Sequence, residues 1–201
     1  LLQCVTMLEA AMFGDLARVR AGVQAGMDVN ATFICPVLGH KTTLLAAACI
    51  GREMLVVRYL ISAKAILDQA HSDGITPVLT ASSNGHTDVV RALITAQANL
   101  DQGDSSEGCT PVLMASQQGH LDVVRALITG KANVNQPTNE GVTAVLLASQ
   151  NSHTNVLRAL ITAQANVNQA DSEGRNPLVM ASQLGHLDVV RALITGKANV
   201  D

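Results

Sequence analysis

Large rings are nearly missing from this chain: Phe13, Phe33 and Tyr59 are its only aromatic residues, and it has no tryptophan. A core centred on aromatic side chains is thereby excluded, and Leu, Ile, Val, Ala and Met must supply the buried surface. Charge is scarce as well. A formal charge of −3, with 14% of residues charged, offers no basic face to neutralise a run of phosphates, so nucleic acid is not expected as a partner. Apolar runs such as Thr42–Ile50 are far too short to cross a bilayer, and membrane insertion is not expected either.

Clustered cysteine is also lacking. Cys4, Cys35, Cys49 and Cys109 show no CxxC spacing, which argues against a zinc or dithiol motif and for free thiols in a reducing compartment. The expected location is the cytoplasm, with the nucleus as the alternative. The opening LLQCVTMLEA has neither the positive start nor the cleavage pattern of a signal peptide. Asn30-Ala31-Thr32 is a formal glycosylation sequon, a three-residue match of low specificity. The chain starts without Met and stops in mid-pattern at Asp201, so it is expected to be a fragment of a longer protein.

What the chain has in abundance is itself. GHLDVVRALITGKANV stands letter for letter at Gly119–Val134 and at Gly185–Val200, two periods of 33 residues apart. A period in this range means stacked supersecondary units rather than one globular core. Each unit opens on a turn: Asp73-Gly74-Ile75-Thr76-Pro77 is matched by Glu107-Gly108-Cys109-Thr110-Pro111, Glu140-Gly141-Val142-Thr143-Ala144 and Glu173-Gly174-Arg175-Asn176-Pro177. Glycine permits the left-handed turn, Thr or Asn caps a helix, and Pro suits its first position. A short helix such as Pro77–Asn84 is then closed by a glycine, and a second follows, as in Thr87–Ala96, with Val89, Val90, Leu93 and Ile94 on one face.

These turns, paired helices and period resemble the ankyrin repeat, with TP, GH, VVxxLI and ANVN at the family's offsets. The resemblance covers essentially the whole chain and implies an all-α repeat solenoid: a stack of helix-turn-helix units linked by β-hairpin-type turns. One departure is regular. Where the family's TPLH motif carries His, this sequence has Ala46, Leu79, Leu113, Leu146 and Val179, replacing a hydrogen-bonding group with apolar packing. The chain divides into an N-terminal cap unit at 1–31, a first full repeat with an insertion at 32–69, and further repeats at 70–103, 104–136, 137–169 and 170–201. The last repeat copies an internal one and lacks a polar outer face, so either more repeats follow it or it pairs with another copy.

No arrangement of residues asks for chemistry. His86, His120, His153 and His186 recur one per repeat, about 10 Å apart if helices pack at ordinary distances, too far to share a metal ion. A structural hydrogen bond at the turn between helices is expected for them. No nucleophile elbow, zinc-helix or phosphate-loop motif occurs, so no catalytic residues, metal or cofactor are expected, and the chain is not read as an enzyme. Arg58, Arg91, Arg125, Arg158 and Arg191 form another ladder, with Asp88, Asp122 or Asp188 three residues earlier in three cases. A solvated face with helical ion pairs is expected there, with a phosphate-binding stripe as the weaker alternative.

By resemblance, partners contact the turn tips and the exposed side of each first helix. The turn positions are His40, Asp73, Glu107, Glu140 and Glu173, followed two residues on by Thr42, Ile75, Cys109, Val142 and Arg175. The helix positions are Ile50, Ser83, Gln117, Gln150 and Gln183. One acid per repeat beside a column of amides suits an extended or helical protein segment carrying Lys or Arg, although acidic turns also serve solubility. The excursion Ala31–Thr42, with Phe33 at its start, either anchors a partner or packs on the cap. The turn after Asp101 is one residue longer than its neighbours and is expected to disturb the acidic column. The leading expectation is a noncatalytic protein-interaction module; the alternatives are a scaffold that self-associates through the last repeat, and the targeting domain of a larger enzyme or channel. The near-identity of the copies fits recent duplication better than an engineered origin.

Overall fold

The computed structural model describes residues 2–34, 41–71 and 73–199. Its chain forms two compact bodies, Leu1–Asn99 with Asp104–Ser106, and Leu100–Gly103 with Glu107–Asp201. In the first body, helices α1 (Leu2–Met12) and α2 (Leu16–Gln24) precede a hairpin of β1 (Thr32–Ile34) and β2 (Lys41–Thr43). Then come α3 (Leu44–Gly51), α4 (Met54–Ser62), α5 (Pro77–Ser83) and α6 (Thr87–Thr95). Helices α1, α3 and α5 pack side by side as one layer, and α2, α4 and α6 as the second. The second body repeats the plan with α7 (Pro111–Gln117), α9 (Ala144–Gln150) and α11 (Pro177–Gln183) in one layer, and α8 (Leu121–Thr129), α10 (Thr154–Thr162) and α12 (Leu187–Thr195) in the other.

The helices start where their capping chemistry puts them. The side chains of Thr43, Thr76, Thr143 and Asn176 accept the backbone N–H of Ala46, Leu79, Leu146 and Val179, satisfying a donor that the first turn leaves open. Thr110 occupies the same position, but its hydroxyl is buried without a partner. The first-layer helices end on left-handed residues. Glycine fills that position at Gly85, Gly119 and Gly185, whereas Arg52 and Ser152 adopt φ of 59° without the glycine. A side chain in this region costs about 1–2 kcal/mol, so those two repeats carry a local strain that the others avoid.

Apolar spacing then builds the core. In α8, Val123, Val124 and Leu127 are all but fully buried, and in α10 Val156, Leu157 and Leu160 are their equivalents. Ahead of the last repeat, the position where the family would have His is buried and apolar, Leu113 at 0% exposure and Leu146 at 2%, so apolar packing replaces the hydrogen bond without a defect. Two polar ladders stitch successive helix pairs together. His86 Nδ1 lies 2.9 Å from the carbonyl of Cys49, His153 Nε2 3.0 Å from that of Gln117 and His186 Nδ1 3.0 Å from that of Ser149. The histidines thus donate across the stack, as a structural role requires.

The second ladder runs through the links that follow each outer helix. Asn30 accepts from the Ile66 N–H and Asp68 from Asn99 in the first body. In the second, Asp101 accepts from Asn133, Asn135 from Asn166 and Asn168 from Asn199, each at 2.7 Å. In these five links the final polar residue therefore satisfies a backbone donor of the next link. Asn30, the sequon residue, is one of these rungs.

The arginine ladder departs from expectation. Asp188 and Arg191 approach to 3.8 Å, but Asp88 is taken instead by Arg52, at 3.1 Å, and among the described residues Arg125 forms no ion pair with Asp122. Burial works against the Asp88 charge, yet the hydrogen bond from Arg52 and the Val89 N–H outweigh it and hold the carboxyl below its usual range.

Candidate functional site

The turns that carry the proposed contact residues are built by backbone bonds. The N–H of His71, Thr138 and Asp171 donates to the carbonyl of Ile75, Val142 and Arg175, closing hairpin-type turns over Gly74, Gly141 and Gly174. Each tip is then tied to the next. In the first body the Asp73 carbonyl accepts from Ser105 at 3.0 Å; in the second, Glu107 accepts from Asn139 and Glu140 from Ser172, both at 2.8 Å. The carbonyls of Asp73, Glu107 and Glu140 are fixed in this way, and the side chains of these three and of Glu173 are exposed at the tips.

The longer turn changes the bonding register. Asn139 and Ser172 directly precede the tip acids Glu140 and Glu173, whereas the residue that bonds Asp73 is Ser105, two before Glu107. The extra residue is absorbed by Gly103, whose Cα approaches the carbonyl of Gly108 so closely that a side chain there would meet backbone. A glycine is required at that point by contact, not by its φ.

In the second body the tip acids Glu107, Glu140 and Glu173 and the first-layer amides Gln117, Gln150 and Gln183 are all exposed. The residues between them are not. Val142 is half-buried and Cys109 is 7% exposed, with its thiol 3.7 Å from the Glu107 carboxylate. In the first body Ile50, Ile75 and Ser83 are half-buried. Phe33 is half-buried in β1, which packs beside α1, while its neighbour Ile34 is 60% exposed. His40 lies outside the described residues, as does most of the excursion that contains it.

Arg175 has a different environment from its counterparts. Its guanidinium meets the buried Asp171 carboxylate at 2.6 Å and Glu173 at 3.1 Å, and Asp171 also accepts the backbone N–H of Glu173 and Arg175 at 3.0 Å. Burial would raise the Asp171 carboxyl, but the Arg175 hydrogen bond and the two backbone donors pull it below its usual range. Arg175 is correspondingly raised, first of all by its hydrogen bond to Asp171. The Glu173 carboxylate therefore meets a cation within its own turn, and the Glu140 charge also acts on Arg175. Sequence reading missed Asp171, although an acid four residues before an arginine across a glycine turn was a usable signal.

The described residues contain no group of His, Cys, Asp and Glu able to hold a metal ion, and none of their helices is long and apolar enough to cross a membrane. Cys49 is buried and in no disulfide, and burial pushes its thiol far above the ordinary range.

Comparison with known proteins follows this geometry. The family model for ankyrin repeats matches three times, over residues 7–104, 44–138 and 112–201. A crystal structure of an ankyrin repeat domain from Acinetobacter baumannii AYE is 25% identical, with a TM-score of 0.86 over 96% of this chain and 98% of that one. Cortactin-binding protein 2 of Rhinolophus ferrumequinum is 32% identical over 88 residues, which is 41% of this chain but 5% of that protein's length. With the family matched from end to end, its turn, capping and hydrogen-bond signatures in place and the fold shared with a solved member, the chain belongs to the ankyrin repeat family.

Proposed function

We propose that the turn tips and first-layer helices of this chain bind a segment of a partner protein that carries Lys or Arg. Ankyrin repeats are generally protein–protein interaction modules and are typically noncatalytic. The observation that carries the finer reading is the second body's pair of exposed columns, Glu107 and Glu140 beside Gln117 and Gln150, over a core that is almost copied between repeats. Buried positions hold the stack while one acid and one amide per repeat are exposed. Aligned charges of this kind steer association and choose partners more than they add affinity. The buried Cys49 and Cys109 form no disulfide, which suits a reducing compartment, so we place the interaction in the cytoplasm or nucleus.

Affinity capture from lysate tests this, comparing the wild-type chain with Glu107→Lys/Glu140→Lys. These side chains are exposed, so the variant is expected to keep its circular dichroism spectrum and melting temperature. Loss of specific partners with the folded variant supports the surface; an unchanged set of captured proteins refutes it.

One observation favours self-association as a second reading. Val179 and Ile194, on the last helix pair, are 42% and 52% exposed, while Leu146, the counterpart of Val179, is 2% exposed. An internal-type packing face exposed in this chain suits either a further repeat or a second copy. Sedimentation velocity should then show mass rising with concentration and Val179→Lys/Ile194→Lys holding the chain monomeric; a wild-type monomer across that range would dismiss this reading.

A further inference from the structure

We propose that the second-layer side of the second body is a separate docking surface, which accepts an acidic segment of a partner protein. Two adjoining grooves cross this side, of about 520 Å³ between α8 and α10 and about 240 Å³ between α10 and α12. They share Arg158 and Thr162, so they form one trough with an arginine from each helix: Arg125, Arg158 and Arg191. All three are exposed. Ile128, Ala159 and Ile161 lie between them and give the trough an apolar lining.

The charged residues that line the trough are all cations, and their charge is largely unanswered. With the exposed Lys131 and Lys197 at the helix ends, this side presents five cations against Asp122 and Asp188. Among the described residues neither Arg125 nor Arg158 forms an ion pair, and Arg191 has only the 3.8 Å contact with Asp188. Three residues before Arg158 the sequence has Asn155, where α8 and α12 have their aspartates, so the central arginine has no acid in its own helix.

The hydrogen-bonding inventory narrows the ligand. The hydroxyls of Thr129, Thr162 and Thr195 already donate to the carbonyls of Arg125, Arg158 and Arg191, each at 2.8 Å. The guanidinium groups, together with the Asn155 amide, are then the side-chain donors left facing the trough, and the planar guanidinium forks match carboxylates two bonds at a time. Helices pack about 8–10 Å apart. A polyproline II chain, with three residues per turn and a rise of about 3.1 Å per residue, supplies that spacing on one face with an acid at every third residue. Small apolar residues between the acids would meet the isoleucines. Nucleic acid fits less well, since three arginines in an apolar trough neutralise few phosphates.

A fluorescein-labelled peptide of about twelve residues, with Glu at every third position and Ala or Leu between, is the probe, followed by anisotropy at low salt. The proposal expects saturable binding, weakened by added salt, lost in the peptide's Gln counterpart and reduced about tenfold or more by Arg158→Glu. Glu107→Lys/Glu140→Lys should leave this binding intact, which separates it from the turn-side reading. Arg158→Gln and Arg Nε chemical shifts, which should move at Arg125 and Arg158 on titration, guard against a folding defect. Equal binding of the Gln peptide, no loss in the Arg158 variants, or shifts confined to the turns would overturn it. An oligonucleotide of similar length binding as tightly would reassign the trough to nucleic acid, and self-association abolished by Arg158→Glu would reassign it to a second copy.

Discussion

Helices α8 and α12 have the same nine residues, LDVVRALIT, but not the same surroundings. Val124 is fully buried in α8, whereas its copy Val190 in α12 is half-buried. Ile128 is half-buried and Ile194 is 52% exposed; Leu121 is half-buried and Leu187 58% exposed. The same local sequence forms the same helix in both places, so local structure follows from pattern and capping. Burial follows from what is stacked on the helix, and with burial goes most of the stabilisation each residue supplies.

The largest expected difference between the two regions is in core truncation. Leu146→Ala removes a side chain that is 2% exposed and should cost about 2–4 kcal/mol. Val179→Ala at the matching position, where the side chain is 42% exposed, should cost less than about 1 kcal/mol. Urea denaturation of both variants measures the gap. Equal costs would mean that Val179 is covered in solution, as self-association would require.

Much of this was legible in the sequence. Period, caps, glycine turns and apolar faces are consequences of local spacing, and the bounds of α5 and α6 fell one residue short of expectation at their C-terminal ends. The bridging role of the histidines was legible too. Partner choice at a distance was not. That Asp88 would pair with Arg52 of the preceding helix pair rather than Arg91, or that Glu173 would share Arg175 with Asp171, depends on side-chain reach in three dimensions. The columns were readable as positions, while their unequal charge along the stack was not.

The turns give the next largest contrast. Asp171 and Thr138 hold successive turns, but Asp171 binds two backbone donors and Arg175, whereas Thr138 accepts a single bond from Val142 at 3.1 Å. Asp171→Ala should cost about 1–3 kcal/mol and Thr138→Ala about 1 kcal/mol or less. The Asp171 contribution also has a pH signature. Its folded pKa is depressed, so the stabilisation is fully present above the ordinary value of 3.8 and is lost as pH falls through the lower folded value. Asp171→Asn should flatten the acid limb of the stability curve below that point; an unchanged limb would remove Asp171 from the account.

The smallest effect concerns the turn between helices. Ser152 sits at φ 59° where Gly119 and Gly185 hold the same position in flanking repeats. Ser152→Gly should raise stability by about 1 kcal/mol, and Gly185→Ser should lower it by a similar amount, both read from thermal melts. A loss on introducing glycine would show that the Ser152 side chain contributes more than its backbone strain costs.

Whether exposed columns on a copied core are what this molecule uses is tested most directly by hydrogen–deuterium exchange, with and without a captured partner bound. Slower exchange is predicted in the turns around Glu107 and Glu140 and in α7 and α9, with α8 and α10 unchanged by the same partner. Protection confined to α12 and the face of Val179, or absent from both turns, would contradict the account.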